Sequence, residues 1–318
     1  MISPRPGNAN SPWLLAFLGA ALLGLLVAAC SGDSNSSGGA SGQPSATFPM
    51  SVTDTGGKAV TFSMAPTRII SYSPGATEIL FAIGAGGQVV ATDSFSDYPA
   101  AAKALPKLEY LRPAPEPALA LRPDLVIMAG AQEGDVEQFR AAGLTVFLLR
   151  EPEDIAGVIQ DVRLLGRLTG KAEGAEAVAK DMEKRVTAVQ QKANGAGKGP
   201  LVFFELSPDG FSVSPNSFVG SMLKLVKAGN VADGAASAFP QLSAEVIIEA
   251  DPEVILLSDA GEWGGQSLET VKARPGWSDI KAVKSGRVIE IDPNVFTRPG
   301  PRVIEALELL LKSLYPNL

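Results

Sequence analysis

The 318-residue chain contains no histidine and one cysteine. Without histidine it has no His-dependent catalytic triad, no His-ligated zinc and no imidazole pH switch. With one cysteine it has no intrachain disulfide, no CxxC redox pair and no cysteine-rich metal site. Positive charge is also scarce: 27 Lys plus Arg stand against 34 Asp plus Glu, a formal net charge of −7. The basic footprint of a nucleic-acid binder is therefore missing. Aromatic residues are only 6% of the chain, so the places where they fall carry information. Against these shortages, 33 Gly and 24 Pro mark many loops, and a 46% apolar content is enough for a folded core. At about 100–200 residues per domain, the length points to two lobes.

The single cysteine, Cys30, closes an apolar run. Trp13 to Ala29 is 17 residues without a charge, and Arg5 is the only basic residue before it. A positive start, an apolar stretch and small residues before a cut site make a secretory signal. The run is near the lower limit for a spanning helix. It is followed by a Gly/Ser/Asn tether, Ser31 to Ser45, with no cationic stop-transfer cluster. Val27-Ala28-Ala29-Cys30 resembles a bacterial lipobox, which implies that Cys30 becomes the diacylated first residue of the mature chain. Two acyl chains hold a protein firmly to a membrane without a spanning helix. The expected localisation is exported and lipid-anchored, facing the periplasm or the outside.

From Thr47 onward the pattern is globular. Strand candidates are Arg68–Tyr72, Val89–Ala91, Asp124–Met128 and Thr145–Leu149. Ser73-Pro74 starts a helix that Gly84 stops, and a second helix covers Asp135–Ala142. Apolar residues at helical spacing predict amphipathic helices over Pro152–Leu168 and Lys171–Ala193, the latter about 35 Å long. After the break at Asn194–Pro200 the alternation restarts: strands Leu201–Phe204, Glu253–Leu257 and Arg287–Ile291, helices Ser217–Ala228 and Arg302–Leu314. Such alternation indicates parallel βαβ units. The expected organisation is a signal peptide (1–29), a flexible tether (30–48), an N-terminal lobe (49–168), a linking helix (169–198) and a C-terminal lobe (199–318). The fold class is α/β, with two Rossmann-like lobes, parallel central sheets and one long rigid α-helix between them.

The two halves repeat a local pattern. Glu116-PALALR-Pro123-Asp124-Leu125-Val126-Ile127 matches Glu245-VIIEAD-Pro252-Glu253-Val254-Ile255-Leu256. In each, an aromatic residue lies six positions before the Glu: Tyr110 in one half, Phe239 in the other. The separation of 129 residues makes this a duplicated lobe and not a solenoid. Two lobes leave a cleft between them, and ligands in such folds bind outside the carboxyl ends of the parallel strands.

Enzyme motifs are missing. There is no Gly-x-Ser-x-Gly elbow and no P-loop. Glu205, Asp209, Asp259 and Glu262 follow strands, but no spacing pairs them. An exported hydrolase using Asp259 or Glu262 is the alternative of a different class. The protein is expected not to be an enzyme, to hold no metal through its own ligand set and to carry no cofactor. What the loops do hold is aromatic and cationic: Phe95, Tyr110 and Arg112 in the first half, and Phe211, Phe239, Trp263, Phe296 and Arg298 in the second. These are the candidate ligand-binding residues. A flat, partly apolar ligand with carboxylate or amide edges suits such a surface.

Several segments taken in order carry a family resemblance. They are Arg68-IISYSPGAT-Glu78, Ser96-Asp97-Tyr98-Pro99, Leu121-RPDLV-Ile127, Pro240-QLSA-Glu245 and Arg298-Pro299-Gly300-Pro301-Arg302. Together they resemble the cobalamin, ferric-siderophore and haem binding proteins of bacterial ABC importers, from about Val52 to the end. The resemblance implies two α/β lobes bridged by a rigid helix and a metal chelate as transported ligand. It also implies a dimeric permease with its ATPase as partner. Glu116 and Glu245 fall where the family's lobes dock on permease arginines, and one Glu on each of two similar lobes suits a two-fold partner. The SPGATE and SDYP segments look most like the cobalamin binders. Phe95, Tyr110 and Phe239 then fall where aromatics contact the corrin, and Arg298 on a pocket arginine. Glu109-Tyr110-Leu111-Arg112 is similar to a haem-binder segment whose Tyr can ligate iron, with Glu109 in place of Gly. Corrinoid, ferric siderophore and haem stay open in that order. Contact with the membrane is expected through the lipid anchor only, contact with nucleic acid not at all, and the protein is expected to act as a monomer.

Overall fold

The computed structural model describes residues 47–130 and 133–318. Cys30, the apolar run before it and nearly all of the tether lie outside these residues. Among the described residues no helix is long and apolar enough to cross a membrane.

A small antiparallel hairpin comes first, β1 (Met50–Thr53) on β2 (Ala59–Phe62). The N-terminal lobe follows with β3 (Ile69–Tyr72), α1 (Pro74–Ala82), β4 (Val89–Asp93), α2 (Ala100–Lys103) and β5 (Lys107–Leu108). It continues with α3 (Pro115–Ala120), β6 (Leu125–Met128), α4 (Glu133–Ala141), β7 (Val146–Leu148) and α5 (Ile155–Leu168). Helix α6 (Ala172–Ala196) leads into the C-terminal lobe. That lobe contains β8 (Leu201–Glu205), α7 (Phe218–Leu225), β9 (Gly229–Asn230), α8 (Ala244–Ala250), β10 (Val254–Leu257) and α9 (Leu268–Lys272). It ends with α10 (Lys281–Lys284), β11 (Val288–Glu290), α11 (Pro293–Phe296) and α12 (Val303–Leu314).

Both central sheets are parallel. The first has the order β5-β4-β3-β6-β7 and the second β11-β10-β8-β9. Read from the other edge, the second is β9-β8-β10-β11, the same order without a counterpart of β5. Strands β3, β6 and β10 are buried along their whole length. β6 and β10 read as unbroken apolar runs because helices cover both faces, and β3 adds a buried Ser71 and Tyr72. In each sheet the chain runs outward from the first strand and then returns to its other side. The switch points therefore lie between β3 and β6 and between β8 and β10.

The backbone bears out the repeat read from the sequence. Arg122 and Asp251, aligned one residue before Pro123 and Pro252, both have φ of 49°. Few non-glycine residues enter this left-handed region. Here it ends α3 and α8 in the same way and turns the chain into β6 and β10. The next residues repeat as well: Asp124 N donates to Arg68 O and Glu253 N to Leu201 O, both at 2.9 Å.

Local chemistry explains the helix starts. The side chains of Ser73, Asp154, Ser217 and Ser243 each accept a backbone N–H in the first turn of α1, α5, α7 and α8. Pro74 pre-sets the first turn of α1. Helix α6 runs three residues beyond the periodic stretch, through Asn194 and Gly195, and stops before Gly197 at φ 81°. The β1–β2 hairpin is absent from the sequence reading: its short strands have an exposed face and no apolar run.

Apolar packing ties the lobes together. One buried cluster includes Ile79 and Leu80 of α1, Val158 and Leu165 of α5, Met182 and Val189 of α6, Leu223 of α7 and Leu307 and Leu310 of α12. The outer faces of the two sheets close over separate clusters, around Phe139 in one lobe and Trp277 in the other. Across α5 and α6 the packing is tight at Gly166, where an added Cβ would stand 2.1 Å from the Cβ of Ala175. Gly166→Ala should force the two helices apart and lower stability by about 1–3 kcal/mol, read as a fall in the thermal midpoint. An unchanged midpoint would mean that this contact is not rigid.

Candidate ligand-binding site

The loops at the carboxyl ends of the strands hold most of the candidate residues. After β4, the Asp93 carboxylate accepts from Phe95 N (2.8 Å) and Ser96 N (3.1 Å) and from Ser96 Oγ. This turn leaves the Phe95 ring exposed. Lys107 Nζ donates to Thr92 Oγ1 (2.7 Å), to Ala102 O (3.0 Å) and to Ser96 O, tying the segment to β5. Tyr110 follows β5 and meets Phe95 edge-on at 5.2 Å between centroids. Burial, then the charges of Glu151 and Asp93, raise the Tyr110 phenol above its ordinary pKa. Arg112 is exposed and has no ion-pair partner among the described residues.

In the other lobe, two loops are stitched into one platform. Ser212 N donates to Pro240 O and Leu242 N to Gly210 O, both at 2.9 Å, so the Phe211 segment lies beside the Phe239 segment. Both rings are exposed. Trp263 sits exposed in a short turn after β10, held by Trp263 N on Ala260 O (3.0 Å) and Gln266 N on Asp259 O (3.1 Å).

One expectation needs correction. Phe296 is 1% exposed and packs on Phe204 in the core, with centroids 6.4 Å apart. It belongs to α11, whose apolar side faces β8, so it presents no ring to a ligand. Arg298 is not a free cation: its Nη1 donates to Asp97 Oδ1 of the opposite lobe. Burial alone would raise the Asp97 carboxyl, but the Arg298 hydrogen bond and charge outweigh it and lower its pKa.

Sequence reasoning missed the charged contacts between the lobes. Arg302 forks onto Glu78, with Nε–Oε2 at 3.0 Å and Nη2–Oε1 at 2.6 Å, and its guanidinium lies 3.9 Å from the Tyr98 ring centroid. Burial raises the Glu78 pKa, and the hydrogen bond and charge of Arg302 oppose that rise. The chains touch closely here: an added Cβ at Gly75 would lie 2.7 Å from Pro299 O, and one at Gly300 2.9 Å from Glu78 Oε2. All of these residues lie in the family-like segments, yet Glu78 and Arg302 are 224 positions apart and no periodicity links them.

The post-strand carboxylates also acquire partners. Glu205 is fully buried and forked by Arg274, with both N–O distances 2.6 Å. Asp259, 5% exposed, has both carboxylate oxygens without a hydrogen bond among the described residues. Burial and then the charge of Glu205 push its pKa up to about 6. Among the described residues no cluster of three metal-ligating side chains forms. A separate cavity of about 1180 Å³ runs along α5, α6 and α7, lined by residues such as Arg163, Glu183, Gln190 and Lys224 and by none of the exposed aromatics.

Two parallel α/β lobes with aromatic loops at their strand ends define a two-lobed solute-binding protein. The periplasmic binding protein family matches residues 69–295, and the chain belongs to that family. It is 30% identical over 304 residues to an uncharacterized ABC transporter substrate-binding lipoprotein of Bacillus subtilis, covering 93% of this chain and 95% of that protein. It is 28% identical to a cobalamin-binding protein of Halobacterium salinarum, covering 84% of this chain and 74% of that one. A solved periplasmic heme-binding protein from Roseiflexus superposes with a TM-score of 0.71 at 31% identity, covering 78% of this chain and 98% of that one.

Asp259 makes the fold's stability depend on pH in a definite direction. Its folded pKa of about 6 lies above the ordinary value of 3.8. The stability gained by holding this proton is complete below about pH 4 and is lost as pH rises through 6. Asp259→Asn should therefore be more stable than the native chain at pH 8, by about 3 kcal/mol, with the gap closing near pH 4. Thermal unfolding at the two pH values checks this; an Asn variant less stable at both would refute it.

Proposed function

We propose that the protein captures a metal chelate, a corrinoid first of all, between its lobes and delivers it to the permease of an ABC importer without turnover. The observation that carries this reading is the set of exposed rings, Phe95 from one lobe and Phe211, Phe239 and Trp263 from the other, with the half-buried Tyr110 packed edge-on against Phe95. Exposed rings on loops pinned by backbone hydrogen bonds suit a large flat ligand, because little order must be gained on binding. Glu109 in place of the Gly of the haem-binder segment argues for corrinoid over haem. The similarity to a cobalamin-binding protein supports the same order, and the likeness to a heme-binding structure keeps haem as the second reading. A ferric siderophore held by Arg112 and Tyr110 is the remaining chelate.

In this reading Cys30 carries the lipid anchor outside the cytoplasm, as the lipobox-like segment and a relative named as a lipoprotein both support. The ligand is cargo, and the protein works as a monomer. Glu116 and Glu245 dock on the permease. Each is exposed in the first turn of a short helix, α3 or α8, at equivalent positions of the repeat.

Titration with cyanocobalamin should quench tryptophan fluorescence with one site per chain. Trp263→Ala should weaken binding about tenfold or more, as loss of a central aromatic anchor does. No response to cyanocobalamin, haemin or a ferric siderophore would overturn the reading. Glu116→Ala with Glu245→Ala should abolish uptake while titration still shows ligand binding. Unchanged uptake would remove the docking assignment alone.

A further inference from the structure

Four charged side chains meet between the lobes, and their signs are sorted. Glu78 of α1 and Asp97 of the loop after β4 belong to the N-terminal lobe. Arg298 and Arg302, in the segment between α11 and α12, belong to the C-terminal lobe. Each carboxylate meets one guanidinium, so the group is neutral as a whole. The two pairs differ in surroundings. The Glu78 side chain is almost fully buried, whereas that of Asp97 is 50% exposed. In sequence Asp97 lies between two residues with exposed rings, Phe95 and Tyr98, the latter beneath the Arg302 guanidinium. The Glu78–Arg302 pair is thus a closed contact, while the Asp97–Arg298 pair is open to solvent on its Asp97 side.

We propose that Asp97 determines ligand specificity: as the built-in counter-ion of Arg298, it selects a chelate with an amide periphery over one with several carboxylates. The inference rests on the reading of the aromatic loops as the chelate site. The Arg298 side chain is only 13% exposed and Asp97 holds its Nη1, so a ligand carboxylate that took this Nη1 would displace Asp97, which would then stand unpaired beside the newcomer and near Glu78. Like charges so placed strongly disfavour the wrong ligand. A primary amide meets no such penalty, since it can donate to the exposed side of the Asp97 carboxylate. Among the described residues of the candidate set, Arg112 is the one guanidinium left without a carboxylate. It can serve one ligand carboxylate but not two well-separated ones.

The test compares cyanocobalamin, edged with amides, and haemin, which carries two propionates, on three forms of the full chain. These are the native protein, Asp97→Asn, and Asp97→Asn combined with Arg298→Gln. Asp97→Asn frees the Arg298 charge and should raise the ratio of haemin to cyanocobalamin affinity about tenfold, the size expected for one charge pair. Arg298→Gln in the same chain should remove that gain. An unchanged ratio in Asp97→Asn, or a gain that persists without Arg298, would overturn the inference while leaving the site reading intact. If the native chain bound neither ligand, the site reading would fall and the inference with it.

Discussion

One apolar core runs through both lobes, and the rest of the molecule depends on it. The sheet of the first lobe packs on α1, which packs with α5 and α6; the core then passes from α6 to α12 and from α5 to α7 into the second lobe. Burial of this kind is the main favourable term in folding and has no preferred direction. The close packing of α5 on α6, down to a glycine facing an alanine, supplies the direction and locks their spacing. The lobes are therefore faces of one packed body, not two bodies on a flexible strap. This shared core sets the spacing of the strand-end loops.

The charges between the lobes have meaning only on that frame. Glu78 is buried, and the half-buried Arg302 reaches it, where an unpaired charge would be costly; the fork between them meets that demand. Gly75 and Gly300 let the two chains come close enough for the pair to form. The same approach brings Arg298 to Asp97. Arrangement within each lobe is handled by separate groups: Asp93 and Lys107 hold the Phe95 loop, and Arg274 neutralises Glu205. The aromatic surface is thus displayed by polar contacts behind it, while its own rings stay available.

Much of the fold was legible because its signals are short. Short apolar stretches became β3, β6, β8 and β10, and helical spacing became α5, α6 and α12. The Glu–Pro–strand repeat was confirmed by a feature the letters do not show, the shared left-handed turn at Arg122 and Asp251. The hairpin β1–β2 and the short helices α9 to α11 were not legible, since four or five residues carry too little periodicity. The site was legible in part. Phe211 and Phe296 look alike in sequence, each an aromatic residue in a post-strand segment. One lies open on a loop platform and the other is pressed against Phe204. No local pattern separates them, because burial depends on what the other elements bring alongside.

By itself the sequence determined the element types, the duplicated lobe, the exclusion of histidine and disulfide chemistry, and the supply of aromatic and charged residues for the loops. Propensity, capping and periodicity act over a few residues, so one stretch of chain is enough to read them. The tertiary structure decided which charges neutralise one another and which rings remain exposed. Asp97 and Arg298 are 201 residues apart, and Glu78 and Arg302 are 224 apart. Such pairs exist only once two sheets and a shared core have set the carboxyl ends of their strands opposite each other.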